Sequence, residues 1–247
     1  MSALIYCCWG LCVASELALL AALIRARLAG RYIGVTLWAL ISSISAINCA
    51  YAHFSGNGYA QAWGWWQPFT LAATICITID VISAIGRQWP KAHSAAVGVN
   101  LLFGGLSFAA LGWVAHLIPA HGWGSAAALV RLSEHFHLAC AATIAANWLI
   151  YSIPRHDWRG NVRLHVRAAM VLTAGCGGAY LIGAASRKNY WMVAVANLLL
   201  TTAPIVACVL WARMSHRGED YRDPRPQDGL LESLEALDRG RIDRSTG

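Results

Sequence analysis

Arg131, Glu134, His135 and His137 crowd into less than two helical turns of an otherwise apolar stretch, residues 125–151 (SAAALVRLSEHFHLACAATIAANWLIY). Carboxylates and imidazoles at that density inside an apolar run could relay protons or ions, or line a polar ligand pocket. Ionisable groups at membrane depth are costly and face the protein interior or water. Two more acids occupy apolar runs, Glu16 and Asp80. Glu16 precedes Arg25 by nine residues and Asp80 precedes Arg87 by seven. At about 1.5 Å of helical rise per residue, both carboxylates are expected to reach one layer. The alternative is structural. Arg131 and Glu134, three apart, share a helix face and can neutralise each other. The remaining acids would then bond to serine, threonine or asparagine on a neighbouring helix, with Asn48, Asn100, Asn147 and Asn197 available.

Histidine also ligates haem, and His53 and His116 fall near the ends of two apolar runs where they could face each other. A second pair is missing: His93, His165 and His216 read as lying in or beside loops. The sequence requires no cofactor, and haem is the one it leaves open. The lysines, Lys91 and Lys188, both fall in loops, which excludes a retinal Schiff base in its usual place. No phosphate-binding glycine loop, GxSxG elbow or HExxH motif occurs, so an enzymatic role is not expected. The eight cysteines form no CxxC or Cys/His knuckle and read as small hydrophobes, with no metal site.

The elements that must position these residues are membrane spans. The chain is 57% hydrophobic and 13% charged, against about 25% charged for a soluble domain. Some 20 apolar residues cross a hydrocarbon core of about 30 Å, and seven runs qualify, near 3–24, 32–53, 65–86, 95–118, 125–151, 168–185 and 190–212. The expected fold is therefore all-α, a polytopic bundle of seven transmembrane helices over residues 1–215. The first run has no basic leader and reads as a span, not a cleaved signal. Residues 216–247 form a largely disordered polar tail, with a short amphipathic helix near 229–239 (Leu230, Leu231, Leu234, Leu237).

Arginine placement orients the bundle. The loops after the first, third and fifth spans carry three, two and four Lys/Arg, and those after the second and fourth carry none. Arg187 and Lys188, after the sixth, are the contrary pair. The positive-inside rule then puts the N-terminus outside and the C-terminus in the cytoplasm of a bacterial inner membrane. The net charge of +7 is explained by lipid headgroups at span ends and not by nucleic acid. Trp63, Trp65, Trp66, Trp123 and Trp191 fall at outer ends and Trp89, Trp158 and Trp211 at inner ones, the pattern of an interfacial belt. Gly175, Ala179 and Gly183, four apart, are expected to bring a neighbouring helix close.

A first span closed by a basic turn, a WWQPFTLAA entry to a third span ending in Asp80, and a tryptophan-bearing basic loop before a small-residue sixth span form a layout. It resembles seven-helix membrane proteins of soil bacteria, acidobacteria-like ones especially. Those often carry Glu-Pro after the tryptophan, where this chain has Gln67 and Pro68. The resemblance covers about residues 1–215 and implies fold and topology, with no activity attached. The expected function is a non-enzymatic, sensor-like or scaffold component meeting a cytoplasmic partner through its basic loops and tail. The alternatives are a small-solute or proton transporter using the intramembrane acids and histidines, and a haem-binding electron-transfer protein.

Overall fold

The structure, a computed structural model, describes residues 2–56, 58–88, 98, 126–152, 160–185 and 190–215. Among them every regular element is helical: α1 (Ser2–Arg25), α2 (Ile33–Phe54), α3 (Tyr59–Gln88), α4 (Ala126–Ser152), α5 (Gly160–Ala185) and α6 (Tyr190–Ala212). Hydrocarbon offers the backbone no hydrogen-bond partner, so a spanning segment satisfies its own N–H and C=O groups as a helix. Five of these helices are long and apolar enough to cross a membrane. α4 is not among those five, and its side chains are described only in part. The expected span at 95–118, and with it His116, lies outside the described residues, as does the tail.

The helices form a closed ring in chain order, with α6 returning to α1 and α3 reaching α5 across the middle. Side-chain pairings fix the directions. Glu16 meets Ser42 and Ser43 while Trp9 meets His53, so α1 and α2 are antiparallel. Gly34 meets Asp80 while His53 meets Tyr59, so α2 and α3 are antiparallel too. Gln67 pairs with Ser133 and Thr78 with Cys140, which makes α3 and α4 parallel. Cys12 reaches Thr201 and Ser15 reaches Cys208, so α1 and α6 also run the same way. One end of the ring, the basic rim, gathers Arg25, Arg27, Arg31, Arg163, Arg167 and Arg213. The opposite end, the aromatic rim, carries His53, Tyr59, Trp65 and Trp191.

The outer surface is apolar. Along α2, Ile33, Leu37, Leu40, Ile44, Ile47, Tyr51 and Phe54 are all exposed at helical spacing, while Val35, Trp38, Ala39 and Ser43 are buried on the other face. A soluble helix would reverse that pattern, so the exposed stripe is the face lipid would cover. The main core lies toward the basic rim, with Leu19, Leu23, Val35, Ile77, Ile85, Leu172 and Trp211 among its members.

Several boundaries differ from the sequence reading. α3 begins at Tyr59, six residues before the expected span, so Trp63 and Trp65 are helical and the turn shrinks to a few residues around Gly56 and Gly58, both at positive φ. α5 begins at Gly160, eight residues early, and places His165 on a helix and not in a loop. Gly175 and Gly183 do face α6, against Ala203 and Ala196.

α1 ends in a Schellman motif. The Arg27 N–H donates to Ile24 O at 3.0 Å and the Leu28 N–H to Leu23 O at 2.8 Å, with Arg27 left-handed at φ 57°. Leu23 and Leu28, both buried, supply the accompanying apolar contact. A non-glycine residue in that conformation costs about 1 kcal/mol or more. Arg27→Gly is therefore expected to raise the thermal midpoint in detergent slightly, by about 0.5–1 kcal/mol of stability. A lowered midpoint would show that the arginine side chain, and not the turn, matters there.

Candidate functional site

Glu16 projects from the middle of α1 into the seam with α2 and α6 and is 2% exposed. Ser42 Oγ donates to its Oε1 at 2.6 Å and Ser43 Oγ to its Oε2 at 3.1 Å. The α2 segment ISSIS presents both hydroxyls at adjacent positions opposite one acid. Cys12, one turn back on α1, and Cys208 on α6 flank the carboxyl. Ser15 Oγ donates to Cys12 O at 2.8 Å, and Cys12 Sγ makes a weak contact of 3.7 Å with Thr201 O on α6.

From Cys12 the polar row continues. Cys176 on α5 is its electrostatic neighbour, and Tyr180, one turn further along, is in turn coupled to Cys176. The Tyr180 hydroxyl shares a hydrogen bond with Ser133 on α4. Ser133 Oγ donates to Gln67 Oε1 at 3.1 Å, which ties in α3. His137 lies beside this group, its Nδ1 2.7 Å from Ser133 O and its ring 5.7 Å from that of Tyr180. A carbonyl only accepts, so Nδ1 carries the proton. Gln67, Ser133 and His137 are all buried.

Asp80 stands apart. Its Oδ2 accepts the backbone N–H of Gly34 at 2.6 Å, at the start of α2. Gly34 and Ser42 are eight residues apart on one helix, which separates the partners of the two acids by about 12 Å. Glu16 and Asp80 thus do not share a layer: Asp80 lies close to the basic rim, Glu16 deep in the bundle. A carboxylate on the first N–H groups of a helix satisfies an orphan donor and complements the helix dipole. That is a positioning role.

Of the remaining residues singled out in the sequence, His135 on α4 is half-buried. The side chains of Arg131 and Glu134 lie outside the described residues, so their pairing is not placed. His53 is exposed at the aromatic rim, its ring 5.8 Å from Trp9 and 6.3 Å from Tyr59, which itself stacks on Trp9 at 5.5 Å. Its expected haem partner, His116, lies outside the described residues. No three His, Cys, Asp or Glu side chains gather for a metal among the described residues.

Sequence reasoning missed a second buried cluster at the basic rim. Trp211 Nε1 donates to His165 Nδ1 at 2.9 Å. The His165 ring is edge-on to Tyr32 at 4.9 Å, and Trp38 lies 5.7 Å from Trp211. Trp211, expected in an interfacial belt, is 0% exposed. Next to it Asn161 clips the end of α6: its Nδ2 donates to Ser215 O at 2.7 Å and its Oδ1 accepts the Ser215 N–H at 3.0 Å. Trp65 and Trp191, by contrast, are exposed at the aromatic rim, as an interfacial role requires. Comparison of the chain with protein-family models, with curated proteins and with solved structures gives no match.

Proposed function

We propose that the chain is a non-enzymatic integral membrane component, sensor-like or scaffold in type, that crosses a bacterial inner membrane seven times with its N-terminus outside. The observation that carries this reading is where the intramembrane polar side chains go. Glu16 bonds α2, Asp80 caps α2, Ser133 bonds Gln67, Trp211 bonds His165 and Asn161 clips the end of α6. Polar groups used in this way pin helices to one another, as interhelical hydrogen bonds do in lipid.

The crossing number is supported by helix direction. α3 and α4 run parallel, the relation expected of the third and fifth of seven spans. α1 and α6 run parallel too, as an odd number of crossings demands. The basic rim, with six arginines, is the cytoplasmic side by the positive-inside rule. That rim and residues 216–247 are the surface offered to a cytoplasmic partner.

Native purification in mild detergent tests the reading. A cytoplasmic protein is expected to co-purify with the full chain and to be lost when residues 216–247 are deleted, while a tag after Gly247 stays unreachable from the periplasm. Co-purification unaffected by the deletion, or a periplasmic tag, would overturn it. A small-solute or proton transporter is the second reading, favoured by the electrostatic neighbours Glu16, Cys12, Cys176 and Tyr180, which bridge the two helices α1 and α5. Proton-coupled flux in proteoliposomes that disappears in Glu16→Gln would establish it in place of the first.

A further inference from the structure

We infer that Glu16 is a reversible proton-binding site inside the bundle, held by the Ser42–Ser43 hydroxyl pair. The inference goes beyond the scaffold reading and stands whether or not a tail partner exists. It rests on the chemistry of the two partners. A serine hydroxyl both donates and accepts, whereas a backbone N–H only donates. The Gly34 N–H that Asp80 accepts offers no acceptor to an acid O–H, whereas the Ser42 and Ser43 hydroxyls can accept one from Glu16.

When Glu16 is ionised, Ser42 and Ser43 each donate to one carboxylate oxygen, at 2.6 and 3.1 Å. When it is protonated, the acid O–H can donate to Ser42 Oγ across the same 2.6 Å. The serine proton then needs an acceptor, and a carbonyl one turn back is the kind that hydroxyls on these helices use. Thr74, Thr78, Thr143 and Thr173 already donate to their i−4 carbonyls at 2.8–3.0 Å elsewhere in this bundle. Both protonation states therefore keep a hydrogen bond between Glu16 and Ser42, with no helix displaced.

The remaining surroundings suit the same role. Among the described residues, the titratable groups facing Glu16 are the thiols of Cys12 on α1 and Cys208 on α6, with no arginine, lysine or histidine interacting with it. With no cation beside it among the described residues, the proton itself is the positive charge that this carboxyl can take up.

The test is labelling of the full chain in detergent with dicyclohexylcarbodiimide, which reacts with protonated carboxyls in apolar surroundings. Mass spectrometry is expected to find the adduct on Glu16, abundant at acidic pH and falling with the titration of a single proton as pH rises. Glu16→Gln should abolish the adduct and Asp80→Asn should leave it. Labelling that ignores pH, or that persists in Glu16→Gln, overturns the inference. So does protection by sodium at constant pH, which would make this a metal-cation site. A second readout needs only the wild-type chain. Infrared spectra should show a carboxylic C=O band that appears on acidification and reverses on return, and that moves in the Ser42→Ala, Ser43→Ala variant. A missing band, or one indifferent to the serines, overturns the proposal as well.

Discussion

Gly34→Ala is expected to remove most of the folded protein. A Cβ built on Gly34 would land on the carbonyl of Cys76 and the amide nitrogen of Ile77, which are backbone atoms of α3 and cannot rotate away. α2 and α3 would have to separate at their closest approach. The Gly34 N–H, 2.6 Å from Asp80 Oδ2, would move with the helix and lose that bond. Overpacking of this kind costs about 1–3 kcal/mol, and a hydrogen bond to a charged acceptor about 1.5–3 kcal/mol. The two effects act on one contact, so their sum, about 2.5–6 kcal/mol, approaches the whole stability of many domains. The thermal midpoint and the monodisperse yield in detergent measure the effect. Gly10→Ala is the control, since a Cβ there meets nothing within 4 Å. It should be neutral or slightly stabilising, because glycine inside a helix is worse than alanine by about 0.5–1 kcal/mol. Equal midpoints for the two variants would mean that α2 and α3 do not approach as described.

Gly34 also shows where the sequence stops being legible. Apolar runs and their basic stops located α1, α2 and α6 to within about two residues, because lipid imposes length and composition on each span separately. Which glycine meets which backbone depends on the rotation and depth of two helices together, and no single run encodes that. The same limit explains the error over Glu16 and Asp80. Depth was counted from the following arginine on each helix. Asp80, eight residues before the end of α3, meets Gly34, the second residue of α2, so α3 runs on past the level where α2 begins and equal counts correspond to different levels in the bundle.

The start of α5 was a different kind of failure. Four arginines between residues 155 and 167 look like an aqueous loop, and that composition hid a helical period. Arg163 and Arg167, four apart, are exposed, while Asn161, Val162, His165, Val166, Ala168 and Ala169 are buried on the other face. An amphipathic pattern of that kind belongs to a helix emerging from the membrane. Read that way, it would have placed His165 indoors from the sequence alone. The hydroxyl pair opposite Glu16 was equally visible, since Ser42 and Ser43 lie on the run adjoining an unmatched acid. What the sequence could not supply was the antiparallel register that puts residue 16 opposite residues 42 and 43.

Trp211 bears the second large expectation. Its indole is wholly buried where α2, α5 and α6 converge, and its N–H is spent on His165 Nδ1 at 2.9 Å. Trp211→Ala should cost about 3–5 kcal/mol, the usual range for emptying a buried aromatic site. Trp211→Phe keeps much of the apolar volume but deletes the donor, and should cost about 1–3 kcal/mol. An indole N–H can only donate, so His165 accepts at Nδ1 and carries its proton on Nε2. His165→Ala should therefore be non-additive with Trp211→Phe, with a coupling of about 0.5–3 kcal/mol across the cycle. Additive losses would show that the two rings merely pack. An interfacial tryptophan at the headgroups predicts something else again, a small effect that depends on the lipid and not on His165. The distinction matters for the scaffold reading, because Trp211, His165 and the Asn161 clip together fix where α6 ends. The proposed tail partner would be held at a defined place on the basic rim only if that end of α6 is rigid.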